Sequence, residues 1–247
     1  MAAPSGRHAL DRRSVLRIAG SGLIAGSVGP TVIGSRVLAA SGPGIGAPAR
    51  SPDDALAGLK EGNARYISNP QLCDSTWPSN ARAWAGKQAP WATILSCADS
   101  RVPPELIFGG LGLGEVFVAR NAGNLADTAT IGTLEYGAAV LGSPLIVVLG
   151  HSRCGAVKAA CEVVTENATF PGSIGPMIDP IIPAALAVRS KGGDFVDNTT
   201  RESAQRTVRR LADASSTLSG LVEAGKLKIV AAHYDLGSGE VEYVGVG

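Results

Sequence analysis

From Trp91 onward, short apolar runs alternate with segments whose apolar residues recur at helical spacing. Trp91–Ser96, Glu115–Ala119, Leu145–Leu149 and Lys228–His233 are nearly continuous apolar stretches, the pattern of strands buried on both faces. Between them the pattern predicts helices. A short proline-started helix covers Val102–Phe108 and is followed by a glycine-rich turn over Gly109–Gly114. Thr128–Leu141 is amphipathic, with Ile131, Leu134, Ala138 and Leu141 inward. Further helices are expected over Gly155–Val164, around Ile181–Ser190, over Leu218–Ala224, and over Asn198–Leu211 with its basic residues outward. Upstream, Ser51-Pro52-Asp53-Asp54 has the residues of a helix start and opens a helix ending near Pro70. Downstream, the turn Asp235–Gly239 leads into Glu240–Val244, an antiparallel edge strand. The predicted fold class is therefore α/β. A mostly parallel central sheet of about four strands, plus the antiparallel edge strand, is flanked by helices. Ligands of such sheets sit beyond the carboxyl ends of the strands.

The first fifty residues do not share this pattern. Arg12-Arg13-Ser14-Val15-Leu16-Arg17 precedes an uncharged stretch of small and apolar residues from Ile18 to Ser35, then Val37-Leu38-Ala39-Ala40. A basic region, a moderately apolar region and small residues, in that order, predict an export signal over residues 1–40 cleaved near Ala39 or Ala40. The paired arginines resemble a twin-arginine signal. The stretch is too rich in Gly and Ser for a permanent span of about 20 apolar residues. Residues 41–50 are a Gly/Pro-rich linker, leaving 51–247 as the folded domain. Export would place the protein in the periplasm, the cell envelope or the medium. Without a functioning signal it would stay in the cytoplasm.

Charge removes some partners from consideration. With 22 basic and 21 acidic residues among 247, the chain has a formal charge of +1, which gives no reason to expect nucleic acid as a partner. Four cysteines are too few for a disulfide scaffold. Two of them, Cys97 and Cys154, stand at the ends of predicted strands. The first strand ends in Ser96-Cys97-Ala98-Asp99-Ser100-Arg101, and the third in Gly150-His151-Ser152-Arg153-Cys154-Gly155. Cys97, His151 and Cys154 make a soft three-donor set suited to Zn²⁺, and three protein donors leave a position for water. Asp99 beside Arg101 is a carboxylate that can ligate a metal or accept a hydrogen bond from its water, with a guanidinium to hold it off and keep it ionised. A structural site with Asp99 as permanent fourth ligand is the other reading of these residues. A redox dithiol fits less well, because it gives the histidine no role. Cys161 reads as core, and Cys73 as a spare thiol.

These residues resemble the two signatures of the β-class carbonic anhydrases. The likeness extends to Gly62-Asn63-Ala64-Arg65-Tyr66, to Arg120-Asn121-Ala122-Gly123-Asn124 and to Ala232-His233-Tyr234-Asp235-Leu236, covering about residues 51–247. The resemblance implies one Zn²⁺ per subunit on Cys97, His151 and Cys154. Asp99 and Arg101 would form a gating dyad, with Asp99 becoming fourth ligand in a closed form. Gln88 matches the glutamine that contacts bicarbonate in the plant-like subgroup. Phe117 and Tyr136 match aromatic positions of that pocket, and Gly155 would border it. The implied activity is reversible hydration of CO₂ to bicarbonate and a proton by a hydroxide nucleophile. The implied assembly is a homodimer or dimer of dimers, with the pocket between subunits. His233 is a candidate proton shuttle. Alternatives on the same scaffold are hydrolysis of carbonyl sulfide or carbon disulfide, or an exported zinc-binding protein without catalysis.

Overall fold

The computed structural model describes residues 50–69 and 85–246. The expected signal, nearly all of the linker and Cys73 lie outside the described residues.

The first helix, α1 (Pro52–Ser68), starts as its sequence requires. Ser51 Oγ accepts from the Asp54 N–H, and the Asp54 carboxylate accepts from Ser51 in return. Then follow β1 (Ala92–Cys97), α2 (Pro104–Ile107), β2 (Val116–Asn121) and α3 (Thr128–Glu135). The next elements are β3 (Leu145–His151), α4 (Gly155–Glu166), α5 (Ile174–Ile178) and α6 (Ile182–Val188). The chain closes with α7 (Phe195–Ala214), α8 (Ser216–Glu223), β4 (Lys228–Tyr234) and β5 (Val241–Val246).

The strands form one sheet in the order β2-β1-β3-β4-β5, parallel except for the antiparallel β5. The expected fold class is the observed one. Alternation along β3 shows why its run is apolar throughout. Leu145, Val147 and Leu149 enter the core beneath α1 and α2, while Ile146 and Val148 enter the opposite core beneath α3, α7 and α8. After β1 the chain moves outward to β2 and then crosses back to β3 on the other side of β1. The carboxyl ends of β1 and β3 thus flank the point where the winding reverses, the usual position of a ligand crevice in such sheets.

Three expectations need adjusting. The predicted helix over 128–141 is α-helical only to Glu135 and continues as a π-helix over Tyr136–Val140. Gly137 there lies so close to the sheet that a Cβ would sit 2.8 Å from Thr93 Oγ1 and 3.0 Å from the Phe117 ring. The widened turn seats the backbone against those groups, and Gly142 at φ +73 ends it. The helix expected around Ile181–Ser190 is instead α5, a 3₁₀ turn and α6 in succession, interrupted by Pro180 and Pro183. The basic face of α7 is not wholly outward, because Arg201 turns in towards β4.

A close crossing fixes α1 on the domain. A Cβ on Gly62 would lie 2.0 Å from the Phe108 carbonyl oxygen, and Asn63 donates to the carbonyls of Ile107 and Gly239. Gly62→Ala should therefore destabilise the fold by about 2 kcal/mol, because overpacking against backbone outweighs the gain of about 1 kcal/mol in helix propensity. Chemical denaturation of the variant beside the parent protein measures this.

Candidate metal centre

Cys97 is the last residue of β1 and His151 the last of β3. β1 and β3 are hydrogen-bonded neighbours, with Ser96 opposite Leu149, so the two side chains emerge side by side. Cys154 follows after a tight turn, in which Arg153 adopts φ +57, and serves as the N-terminal flank of α4. The three donor atoms lie within 4.8 Å of one another, and all three residues are buried.

The donors fit a tetrahedral metal. Two thiolates each about 2.3 Å from zinc would lie about 3.8 Å apart, and Cys97 Sγ and Cys154 Sγ are separated by 3.9 Å. The His151 Nδ1–H donates to the Ser152 carbonyl at 2.9 Å, which fixes the tautomer and leaves the Nε2 lone pair free. That Nε2 is buried with no hydrogen-bond partner. A buried imidazole nitrogen facing two thiols needs a cation to offset its desolvation. The residues present fit Zn²⁺.

The surroundings favour anionic sulfur. The Cys97 thiol is pulled well below its ordinary range, first by the hydrogen bond from Cys154, then by His151 and by the Gly123 N–H at 3.4 Å, against the effect of burial. Cys154 is pushed up by the same hydrogen bond and by burial, against the pull of the Val157 and Ala156 N–H groups in the first turn of α4. The bond between the sulfurs keeps one proton on the pair, and a metal replaces that proton with a stronger positive charge.

Asp99 and Arg101 sit on the loop after β1. Arg101 Nε and Nη2 donate to the two Asp99 oxygens at 2.9 and 2.7 Å, and the Arg101 N–H donates at 2.9 Å. This holds the Asp99 carboxyl well below the usual carboxylate range, chiefly through the Arg101 side chain. Asp99 Oδ2 is 3.9 Å from His151 Nε2, beside the donors but not among them.

Arg120 completes the loop's support, and the sequence reading gave it no role. Its Nε donates to the Cys97 carbonyl at 2.9 Å and its Nη2 to the Asp99 carbonyl at 2.6 Å. A signal was present. Arg120 is the penultimate residue of β2, opposite Ser96 of β1, where a basic side chain has no core to enter. Gly123, at φ +83, supplies the N–H aimed at Cys97 from a position where a Cβ would strike Ile181.

The remaining predicted residues divide into two groups. Gly155 begins α4 beside Cys154, at the metal end of the sheet. Gln88 precedes β1 and is exposed. Phe117 pairs with Thr93 in β1, four positions, or about 13 Å, before the level of Cys97. Tyr136 packs with Phe117, their ring centroids 6.1 Å apart, and is 48% exposed. A single chain thus keeps its aromatic pair at the amino end of the sheet, away from the metal donors. Cys161 is buried and donates to Thr199 Oγ1, a core residue as expected.

His233 does not suit the shuttle role. It is 3% exposed, with Nε2 2.7 Å from Asp197 Oδ1 and Nδ1 accepting from Arg201 Nη2 at 3.2 Å. Burial, with Arg201, pushes its pKa down. A ring clamped by two neighbours and closed to solvent cannot swing to pass protons to buffer.

Two outcomes follow. Cys97→Ser, His151→Ala and Cys154→Ser should each lose most bound zinc, measured by elemental mass spectrometry of the purified proteins. His233 is neutral in the fold while the unfolded chain protonates near about pH 6.5, so stability should fall as pH drops from there through the lower folded value. Denaturation across that window should show a shallower loss in His233→Gln than in the parent protein.

Comparison with known proteins gives a consistent result. Residues 92–241 match the carbonic anhydrase family. Carbonic anhydrase 2 of Mycobacterium tuberculosis is 38% identical over 192 residues, covering 78% of this chain and 92% of that protein. The carbonic anhydrase of Mycolicibacterium smegmatis is 36% identical over 195 residues, covering 79% and 94%. Among solved structures, the Coccomyxa β-carbonic anhydrase, determined with acetazolamide, superposes with a TM-score of 0.59 at 30% identity, covering 76% of this chain and 86% of that one. A tetrameric β-carbonic anhydrase of Sordaria macrospora shares the fold, with a TM-score of 0.61 at 24% identity over 78% and 93% of the two chains.

Proposed function

The chain belongs to the β-class carbonic anhydrases, and from that premise we propose that Asp99 and Arg101 gate a zinc-dependent hydration of CO₂ at the ends of β1 and β3. The observation that carries the reading is the Asp99 carboxylate, clamped by Arg101 at 2.7 and 2.9 Å yet only 3.9 Å from the free nitrogen of His151. Zinc, when bound, supplies the Lewis acidity that makes water a nucleophile near neutral pH.

The chain's own residues do the rest. Cys97, His151 and Cys154 would hold the metal. Ionised by Arg101, Asp99 is an acceptor at every working pH and orients the attacking water through its hydrogen. Without Arg101's grip, the same carboxylate is near enough to the donors to join them and exclude water. Arg120 fixes the carbonyls on either side of the loop, so Asp99 moves by side-chain rotation on a held backbone.

The substrate pocket belongs to an assembly. Gln88, Phe117 and Tyr136 lie at the opposite end of the sheet from the donors, so they serve as pocket residues only across a two-chain interface. A homodimer or dimer of dimers meets that need, with Gln88 binding the nascent bicarbonate as in the plant-like subgroup. The tetrameric Sordaria relative supports such assembly. Export by a twin-arginine route also suits the site, because that signal resembles those of proteins carried already folded. A thiolate centre loaded before export avoids oxidation of its cysteines outside the cell.

Stopped-flow CO₂ hydration by zinc-loaded protein tests the core of this. Asp99→Ala should lose at least about tenfold in kcat/KM while retaining zinc, since a positioned acceptor contributes on that scale. Cys97→Ser should lose both zinc and activity. Two thiolates leave more negative charge at the site than imidazoles would, which raises the pH at which the attacking water loses its proton. Activity should therefore rise from neutral to mildly alkaline pH, and a flat profile there would overturn the argument. Comparable carbonyl sulfide turnover with negligible CO₂ hydration would reassign the substrate.

A further inference from the structure

A cavity of about 610 Å³ opens between α7 and the segment carrying α5 and α6, and reaches Asn121 and Ala122 at the end of β2. Its size is that of a small-molecule pocket and far exceeds a lone water or bicarbonate. One wall is a single face of α7, made by Ser203, Arg206, Thr207 and Arg210 at spacings of three, one and three. The facing wall is apolar, with Met177, Pro180 and Pro183. The cavity is thus polar on one side and apolar on the other.

The hydroxyls on α7 are not spent. One turn earlier, Thr199 and Thr200 donate to the carbonyls of Phe195 and Val196, as helical threonines commonly do. Ser203 and Thr207 are 5% and 6% exposed, line the cavity, and have no side-chain hydrogen bond among the described residues. Their hydroxyls border the cavity, where water or a ligand can bond them. Arg210 is set at the rim by its Nε, which donates to the Ala126 carbonyl at 2.8 Å, and its Nη groups have no protein acceptor among the described residues. Arg206 is paired with Glu202 at 2.8 Å and adds less. Asp127 also lines the cavity, but its carboxylate is taken as a helix cap by the Thr130 N–H at 2.7 Å.

The geometry points to a binding site for a small organic monocarboxylate. The carboxylate would sit between Arg210 and the hydroxyls of Ser203 and Thr207, and a short aliphatic tail would lie against Met177, Pro180 and Pro183. A guanidinium with free Nη groups matches a carboxylate, and flanking hydroxyls supply further donors. The apolar wall selects against a bare inorganic anion, which would leave that surface wet. None of the three metal donors lines this cavity, so the assignment does not rest on the carbonic anhydrase reading.

Isothermal titration of the zinc-loaded protein with hexanoate, beside hexanol as the uncharged tail, tests it. Saturable one-site binding of hexanoate, weaker binding of hexanol, and about tenfold weaker hexanoate binding in Arg210→Gln would support the assignment. CO₂ hydration without hexanoate should be unchanged in that variant, which shows that it is folded. Thr207→Val, equal in shape but without the hydroxyl, should also weaken hexanoate. Absence of saturable binding overturns the proposal. So does hexanoate binding of undiminished strength in both variants, which would place the carboxylate at the metal, and so does hexanol binding as tightly as hexanoate.

Discussion

Two parallel strands side by side, β1 and β3, carry the donors of this protein on adjacent ends, and the metal centre depends on that pairing. Parallel pairing lets Cys97 and His151 leave the sheet in the same direction from neighbouring positions. Antiparallel strands would have sent them to opposite edges. The crossover from β2 back to β3 creates this neighbourhood, and the turn at Arg153 then brings Cys154 round to close the third side. The rest of the local structure maintains it. Ser152 sets the histidine tautomer through its carbonyl, Gly123 offers an N–H to sulfur, and Arg120 ties two carbonyls of the Cys97–Asp99 loop to β2.

The sequence made the sheet legible because its strands are buried on both faces, which leaves unbroken apolar runs that solvent-facing strands would not show. The donors were legible because thiol and imidazole groups seldom share the ends of such runs without a metal. Arg120 was not. An arginine at the end of an edge strand looks like any solvated charge until the partner strand's carbonyls are placed opposite it. The π-turn at Tyr136 was hidden for a related reason: residues 128–141 keep a helical period, and only the close approach of Gly137 to Thr93 shows why the turn must widen. His233 misled in the other direction. Its strand-end position suggested access, whereas Arg201 and Asp197 reach in from α7 and lock it.

Polar groups on α7 fall into two sets. Arg201 and Asp197 face β4 and satisfy one another around His233, together with Glu242. Farther along the helix, Ser203, Thr207 and Arg210 face an open cavity and retain unused donors. One helix therefore both braces the sheet and presents an unfilled polar surface, and its sequence alone does not separate the two, because both faces carry the same residue types.

The separation of Phe117 and Tyr136 from the metal donors has a genetic meaning. In the paired assembly proposed above, each working site draws its donors from one chain and its aromatic wall from the other. A chain damaged only at the donors still offers an intact wall, and a chain damaged only at the wall still offers intact donors. Co-expressed, two such inactive chains rebuild one sound site in every mixed pair. Under that assembly, mutations would sort into two complementing classes, divided by which end of the sheet they strike.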